Sequence, residues 1–175
     1  MIDMSFPKKL YRKIIFFIVN HFFSGTHFFG IKRFLLNSAP DVQIGAGTKV
    51  VGPICSTGKL TVGSHCWIGH DFRVEGNGSV QIGDHCNVAP FVYAFTGSHQ
   101  IGEHERRAGT GYNGEIRIGN GCWICGRSTM LVNAVIQDGS IVSAGAVVLG
   151  KAYPPDSLLG GVPAKLIRDL QERHE

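Results

Sequence analysis

The stretch "IRIGNGCWICGRSTMLVNAVIQDGSIVSAGAVV", residues 116–148, repeats one side-chain pattern every six residues. An apolar residue returns at each sixth position, in the series Ile118, Ile124, Met130, Ile136, Val142 and Val148. Neither the two-residue alternation of a half-buried strand nor the 3.6-residue period of a helix fits this spacing. The stretch therefore predicts a solenoid whose repeating unit is a hexad.

Two further columns follow the same period. Two residues before each apolar position the side chains are small: Cys66, Cys86, Cys122, Ser128, Ala134, Ser140 and Ala146. Three residues after it stand mostly residues that tolerate positive φ: Gly47, His65, Asp71, Asn77, His85, Gly121, Asn133, Gly139 and Gly145, with Pro53, Phe91 and Arg127 as exceptions. A corner every six residues predicts an all-β, triangular parallel β-helix with three hexads per coil.

The repeat also divides the chain. Residues 41–152 follow it, apart from an inserted loop at 95–117, and residues 1–40 form a separate N-terminal helical segment. Prolines interrupt the pattern in the C-terminal extension, residues 153–175, where we expect a short capping helix over residues 164–173.

The segment of residues 8–36 is apolar with a basic start, and it predicts one or two amphipathic helices. Its apolar run is interrupted by Asn20, His21, Ser24 and His27 and falls short of the roughly 20 apolar residues that a membrane-spanning helix needs. No small-residue cleavage site follows the run. One interpretation packs the helices on the rest of the protein. The other lets Lys8, Lys9, Arg12 and Lys13 hold them peripherally on the inner, anionic face of a membrane.

Composition narrows the classes of partner. The 175 residues carry a net charge of +4, which suits an anionic ligand or surface, and no Lys/Arg run interleaved with aromatics indicates nucleic acid. The closest pair of the five cysteines, Cys122 and Cys125, lies inside the repeat. We therefore interpret Cys122 as packing, and the cysteines favour a reducing, cytoplasmic location.

His99 occupies none of the repeat positions. His99 lies in "FTGSHQIGEHERRAG", residues 95–109, within the inserted loop. A neutral imidazole can take a proton from an alcohol if it is aimed correctly. Spacing alone leaves open whether His99 is a general base or a solvent-exposed loop residue.

Three motifs in order resemble the hexapeptide-repeat acetyltransferases: the His99 loop, the hexads of residues 116–148, and "PPDSLLGGVPAKLIRDL" at residues 154–170. The resemblance is to galactoside, maltose and surface-polysaccharide O-acetyltransferases. It implies a left-handed β-helix, a homotrimer with sites between subunits, and acetyl transfer from acetyl-CoA to a carbohydrate hydroxyl.

The resemblance also assigns residues. It implies that His99 is the general base and that the Gly126 N–H meets the oxyanion. It places Ala144, Lys151, Lys165 and Arg168 along coenzyme A. The asparagine that helps hold the acceptor in the small-sugar enzymes is replaced here by Gly69, so His70 and Asp71 are candidate acceptor-binding residues, with Trp123 near the thioester.

Several alternatives stay open. N-acetylation of an amino sugar and acetylation of a xenobiotic would use His99 in the same way. A zinc enzyme of the γ-carbonic anhydrase type would depend on His65 and His70, which are spaced H-x4-H, although no metal is expected because the corner rule already explains His65. A silent trimeric scaffold is the remaining alternative. The identity of the acceptor is not encoded in any of these motifs.

Overall fold

The computed structural model describes residues 6–171 as a parallel β-helix preceded by two helices. The helices are α1 (Phe6–Phe22) and α2 (Phe29–Ser38). Sheet A contains β1 (Val42–Ile44), β4 (Lys59–Val62), β7 (Ser79–Ile82), β12 (Glu115–Ile118), β15 (Val135–Ile136) and β18 (Ala152–Tyr153). Sheet B contains β2 (Lys49–Val50), β5 (Trp67–Ile68), β8 (Asn87–Val88), β13 (Trp123–Ile124), β16 (Ile141–Val142), β19 (Ser157–Gly160) and β20 (Lys165–Asp169).

Sheet C completes the triangle with β3 (Ile54–Ser56), β6 (Phe72–Glu75), β9 (Tyr93–Phe95), β14 (Thr129–Leu131) and β17 (Val147–Val148). From β1 to β19 every strand of the coil pairs in parallel with its equivalent in the next coil, as Ile118 does with Ile136. The chain visits the sheets in the order A, B, C, and β19 continues sheet B beyond residue 152. The prediction of a left-handed parallel β-helix is confirmed.

The hexad columns form the core. Ile118, Ile124, Met130, Ile136, Val142 and Val148 are all buried, and so is every small residue of the column two positions earlier. The packing role predicted for Cys122 is confirmed: its thiol lies inside the coil, within 3.2 Å of the Gln137 carbonyl oxygen. In the same column, hydrogen bonding to the Cys122 thiol, together with burial, raises the pKa of Cys86 to about 11.

Most of the predicted corners have positive φ. His65, Asp71, His85 and Asn133 adopt it, as do Gly47, Gly121, Gly139 and Gly145. Asn77 does not, because the preceding Gly76 takes the turn with φ 99°. Two of the exceptions follow the backbone rule in spite of their side chains, since Phe91 and Arg127 have φ of 60° and 61°.

The N-terminal helices cover the open end of the first coil. Asn20 pairs with both backbone groups of Ile54, and Asn37 does the same for Ile44. Arg12 donates to the carbonyls of Ser56 and Gly58. These contacts supply partners to the unpaired edges of sheets A and C. Arg12 is therefore buried and does not belong to the exposed cationic group expected from the sequence.

The C-terminal helix predicted for residues 164–173 is wrong. Residues Lys165–Asp169 form strand β20, which pairs antiparallel with β19. A helix of ten residues is marginal by itself, whereas the last strand of sheet B offers a row of unpaired backbone groups. The end of the solenoid is therefore closed by a strand that folds back. Within residues 6–171 no helix is both long and apolar enough to span a bilayer.

Candidate active site

The edge between sheets B and C carries several of the predicted site residues in one column. Successive coils place His70, Pro90, Gly126 and Ala144 at the same position of this edge. The carbonyls of His70, Pro90 and Gly126 each accept from a backbone N–H of the next coil. The donors are Phe91, Arg127 and Gly145, and the bond from Gly145 to Gly126 is 3.1 Å long. Among the hydrogen bonds of residues 6–171, none is donated by the N–H of Gly126 or of Ala144.

The edge between sheets A and B shows why these donors are free. There the equivalent N–H groups of Ser64, Asp84 and Asn120 donate to a side chain of the next coil. The acceptors are Oδ1 of Asp84, Asn120 and Asp138, at 2.6–2.9 Å. At the edge between sheets B and C the corresponding residues are Pro90, Gly126 and Ala144, which have no side-chain acceptor. Two unpaired N–H groups at equivalent positions of adjacent coils are suited to ligand carbonyl oxygens.

His70 and Asp71 form a pair at the lower end of this column. His70 Nδ1 lies 3.0 Å from Asp71 Oδ2, which fixes the ring and leaves Nε2 for other partners. The ring also packs edge-on against Phe91, with centroids 4.8 Å apart. The Arg127 guanidinium lies 5.9 Å from the centroid of the Phe91 ring. The edge thus offers an imidazole, a carboxylate and a guanidinium around one aromatic ring.

Phe91 and Arg127 were not singled out as site residues from the sequence. The signal was present, because both are bulky residues at corners that elsewhere hold Gly, Asn, Asp or His. A bulky residue at positive φ is uncommon, and such positions cluster at functional sites.

His99 lies on a two-stranded ribbon formed by β10 (Gly97–Ile101) and β11 (Ala108–Asn113). Its ring is exposed and stands beside Gly111, where a β-carbon would lie 3.7 Å from Nε2. Among residues 6–171 no hydrogen bond to this imidazole is formed. The ring is therefore accessible but is not yet oriented by a partner.

Thr96 holds the base of this ribbon. Its side chain is fully buried, with Oγ1 donating to the Glu75 carbonyl and accepting from the Gly78 N–H. Its backbone N–H donates to Glu75, and its carbonyl accepts from Gly114. Four hydrogen bonds hold Thr96 in place, so the ribbon that carries His99 begins from a fixed residue. No sequence motif indicated this role of Thr96.

Within one chain, the Gly126 column lies where the strands of sheet C begin, and His99 lies beyond the edge where they end. The ribbon leaves the coil after β9, whereas Gly126 precedes β14. Phe91 follows Pro90 of the column, and Gly97 begins the ribbon. The two residues are six positions apart, which corresponds to roughly 15–20 Å of extended chain. The structure thus brings His70, Asp71, Gly126 and Ala144 to one edge and places His99 at another.

The remaining predicted residues are dispersed around the coil. Trp123 is 51% exposed on the outer face of sheet B, three residues before Gly126. Lys165 begins β20, opposite Gly160, beyond the upper end of the Ala144 column, and Arg168 lies further along, opposite Leu158. Lys151 lies between sheets C and A, with Nζ 5.1 Å from the centroid of the Tyr153 ring. Lys165 and Arg168 thus lie on a strand, not on the helix expected.

The histidines of the zinc alternative lie at different corners. His65 stacks on His85 at the edge between sheets A and B, with centroids 5.2 Å apart, while His70 lies across β5 at the other edge. In the described part of the chain, no three His, Cys, Asp or Glu side chains cluster as a metal site.

Known proteins support one relationship. The chain is 32% identical over 120 residues to galactoside O-acetyltransferase of Escherichia coli and 32% identical over 114 residues to its putative colanic acid biosynthesis acetyltransferase WcaF. Each match covers 65% of this chain, which spans 59% and 60% of those relatives. No protein-family model matches the chain.

Solved structures agree over nearly the whole chain. The hexapeptide-repeat containing acetyltransferase VCA0836 of Vibrio cholerae superposes with a TM-score of 0.81 at 25% identity, covering 96% of this chain and 95% of that one. A galactoside acetyltransferase in complex with coenzyme A gives 0.74 at 25% identity, covering 96% and 84%. In sequence and fold this chain is similar to the hexapeptide-repeat acetyltransferases, and with them it belongs to the left-handed β-helix proteins built from hexapeptide repeats.

Proposed function

We propose that this chain transfers an acetyl group from acetyl-CoA to a hydroxyl of a carbohydrate, with His99 as the general base. The observation that carries the proposal is the pair of free N–H groups of Gly126 and Ala144 at one edge, in a chain similar to an acetyltransferase solved with coenzyme A. The name of the WcaF relative favours a precursor of a surface polysaccharide as the acceptor.

The chemistry follows from the residues. His99 removes the proton from the acceptor hydroxyl, and the oxygen attacks the thioester carbonyl. The Gly126 N–H donates to the oxyanion that forms on that carbonyl oxygen. When the carbon–sulfur bond breaks, the imidazolium returns its proton to the coenzyme A thiolate, so no acyl-enzyme forms.

The remaining contacts position the two substrates. The Ala144 N–H donates to the pantetheine arm, and Lys151, Lys165 and Arg168 face the phosphates and the adenine. His70 and Asp71 hold the acceptor, with Trp123 beside the thioester. Because His99 and Gly126 lie at opposite ends of sheet C, we place each site between two subunits of a homotrimer.

The first prediction concerns His99. Turnover is measured as free thiol released from acetyl-CoA with a panel of sugars, amino sugars and glycan precursors. We expect His99→Ala to lower kcat by about 10²–10⁴ because proton transfer is lost, with coenzyme A binding unchanged by calorimetry. His104→Ala is the matched control, a second histidine in the same loop, and should retain full turnover.

Three results would contradict the proposal. Full turnover in His99→Ala would remove the base from the mechanism. Absence of coenzyme A binding, with one zinc ion per subunit by elemental analysis, would instead favour the zinc-enzyme alternative. Release of thiol with amino sugars alone, with the acetyl group found on nitrogen in the product, would reassign the reaction to N-acetylation.

A further inference from the structure

The N-terminal helices have two faces of different character. The inner face of α1 packs on the first coil through Ile15, Phe16 and Val19, which are buried. Lys32 of α2 is also turned inward, and its ammonium donates to the carbonyls of Gly25 and Val51. The helices are thus fixed to the β-helix, and their outer surface is fixed with them.

The outer face of α1 is apolar. Phe6, Leu10, Ile14 and Phe17 follow spacings of four, four and three residues, so they form one row opposite the buried face. Large apolar side chains are also exposed on the rest of the segment. The exposed set is Phe6, Leu10, Tyr11, Ile14, Phe17, Phe22, Phe28, Ile31 and Phe34. Apolar surface of this extent marks a contact with another molecule or with lipid.

The charges beside this row have one sign. Residues 4–40 contain six Lys and Arg residues and no Asp or Glu. Arg12 and Lys32 donate hydrogen bonds to backbone carbonyls of the first coil, whereas Lys8, Lys9 and Lys13 are exposed. At 100° per residue, Lys9 and Lys13 lie along one side of the apolar row. Their long stems can lie on an apolar surface while the ammonium groups reach phosphate.

We propose that this outer face, defined by Phe6, Leu10, Ile14 and Phe17 with Lys9 and Lys13, docks on the surface of a bilayer that contains anionic lipids. An apolar row bordered by lysines is the pattern of helices that lie in the interface plane. Packing this face on the same face of a second copy would bring lysines together with no carboxylate from residues 4–40 to balance them. Vesicle binding needs no turnover, so the inference is independent of the proposed reaction.

The test is co-sedimentation of the full-length protein with two kinds of vesicle. One kind is pure phosphatidylcholine, and the other also contains phosphatidylglycerol. We expect binding to the anionic vesicles that weakens as salt is raised, and much weaker binding to the neutral ones. Absence of sedimentation with anionic vesicles at low salt would overturn the proposal.

Paired variants separate the two contributions. Lys9→Gln/Lys13→Gln should weaken partitioning to anionic vesicles by about thirtyfold, since each basic residue near such a surface contributes about fivefold. Leu10→Ser/Phe17→Ser should lower partitioning to both kinds of vesicle. Arg106→Gln/Arg107→Gln and Ile101→Ser are matched controls, because they remove exposed charge or apolar area in the His99 loop and should leave partitioning unchanged.

Two measurements accompany these assays. Circular dichroism verifies that each variant keeps its fold, and light scattering gives the oligomeric state. If Leu10→Ser/Phe17→Ser lowers the oligomeric state and leaves vesicle binding unchanged, the face is an interface between copies, and the lipid proposal fails.

Discussion

At the residue scale, the edge between sheets B and C lacks the side-chain acceptors that are present at the edge between sheets A and B. At the edge between sheets A and B, backbone N–H groups donate to the side chains of Asp84, Asn120 and Asp138. At the edge between sheets B and C, the N–H groups of Gly126 and Ala144 donate to no such acceptor. Corresponding residues of the two edges are only six positions apart along the chain, as Asp138 and Ala144 are. Once the hexad register is known, this contrast can be read from the sequence, but without the register Asp138 and Ala144 look unrelated.

A substitution at Ala144 tests the role of the open donor. In Ala144→Asn the new Oδ1 should accept from the Gly126 N–H, as Asp138 does from Asn120. We expect kcat to fall by about 10²–10³ because the oxyanion loses its donor. Ala144→Leu has almost the same shape and no acceptor, so both variants should raise KM for acetyl-CoA by crowding the arm. Equal kcat values for the two variants would show that the Gly126 N–H does not meet the oxyanion.

At the element scale, the unit of this fold is the hexad and its corner. Burial of the apolar and small columns and the positive φ of most corners were predictable, because local sequence determines both. Strand β20 was not predictable, because it depends on pairing with β19 and "AKLIRDL" alone also suits a helix. Local pattern thus predicts the coil, and non-local pairing decides how the coil ends.

The corner rule makes a prediction for Gly121. Its φ is +65°, and no atom lies within 4 Å of the place where a β-carbon would stand, so only backbone strain opposes a side chain. Gly121→Asn should leave the thermal midpoint nearly unchanged, since Asn133 already occupies such a corner with φ 67°. Gly121→Val should cost about 1–3 kcal/mol and lower the midpoint, because a β-branched residue resists this conformation. Equal midpoints for Asn and Val would show that the corner relaxes to another φ.

At the scale of the whole molecule, the two ends of the coil are closed in different ways. Side chains of the N-terminal helices supply partners at the first coil, and an antiparallel strand supplies them at the last. Sequence predicted the helices but could not show that Arg12 turns inward, because that depends on unpaired carbonyls 44 and 46 residues away. The distance between His99 and Gly126 is likewise a property of the assembled coil, and no spacing along the chain reveals it.

That separation allows a test of sites shared between subunits. His99→Ala removes the base, and Ala144→Tyr blocks the coenzyme A edge without disturbing a buried residue, so each variant alone should be inactive. If the two are mixed at equal amounts during refolding and assemble at random, one site in four combines an intact His99 from one subunit with an intact edge from its neighbour. We therefore expect about a quarter of the wild-type turnover from the mixture. No recovery, in mixed oligomers verified by mass spectrometry, would place both halves of the site in one chain and require the His99 ribbon to fold back across sheet C.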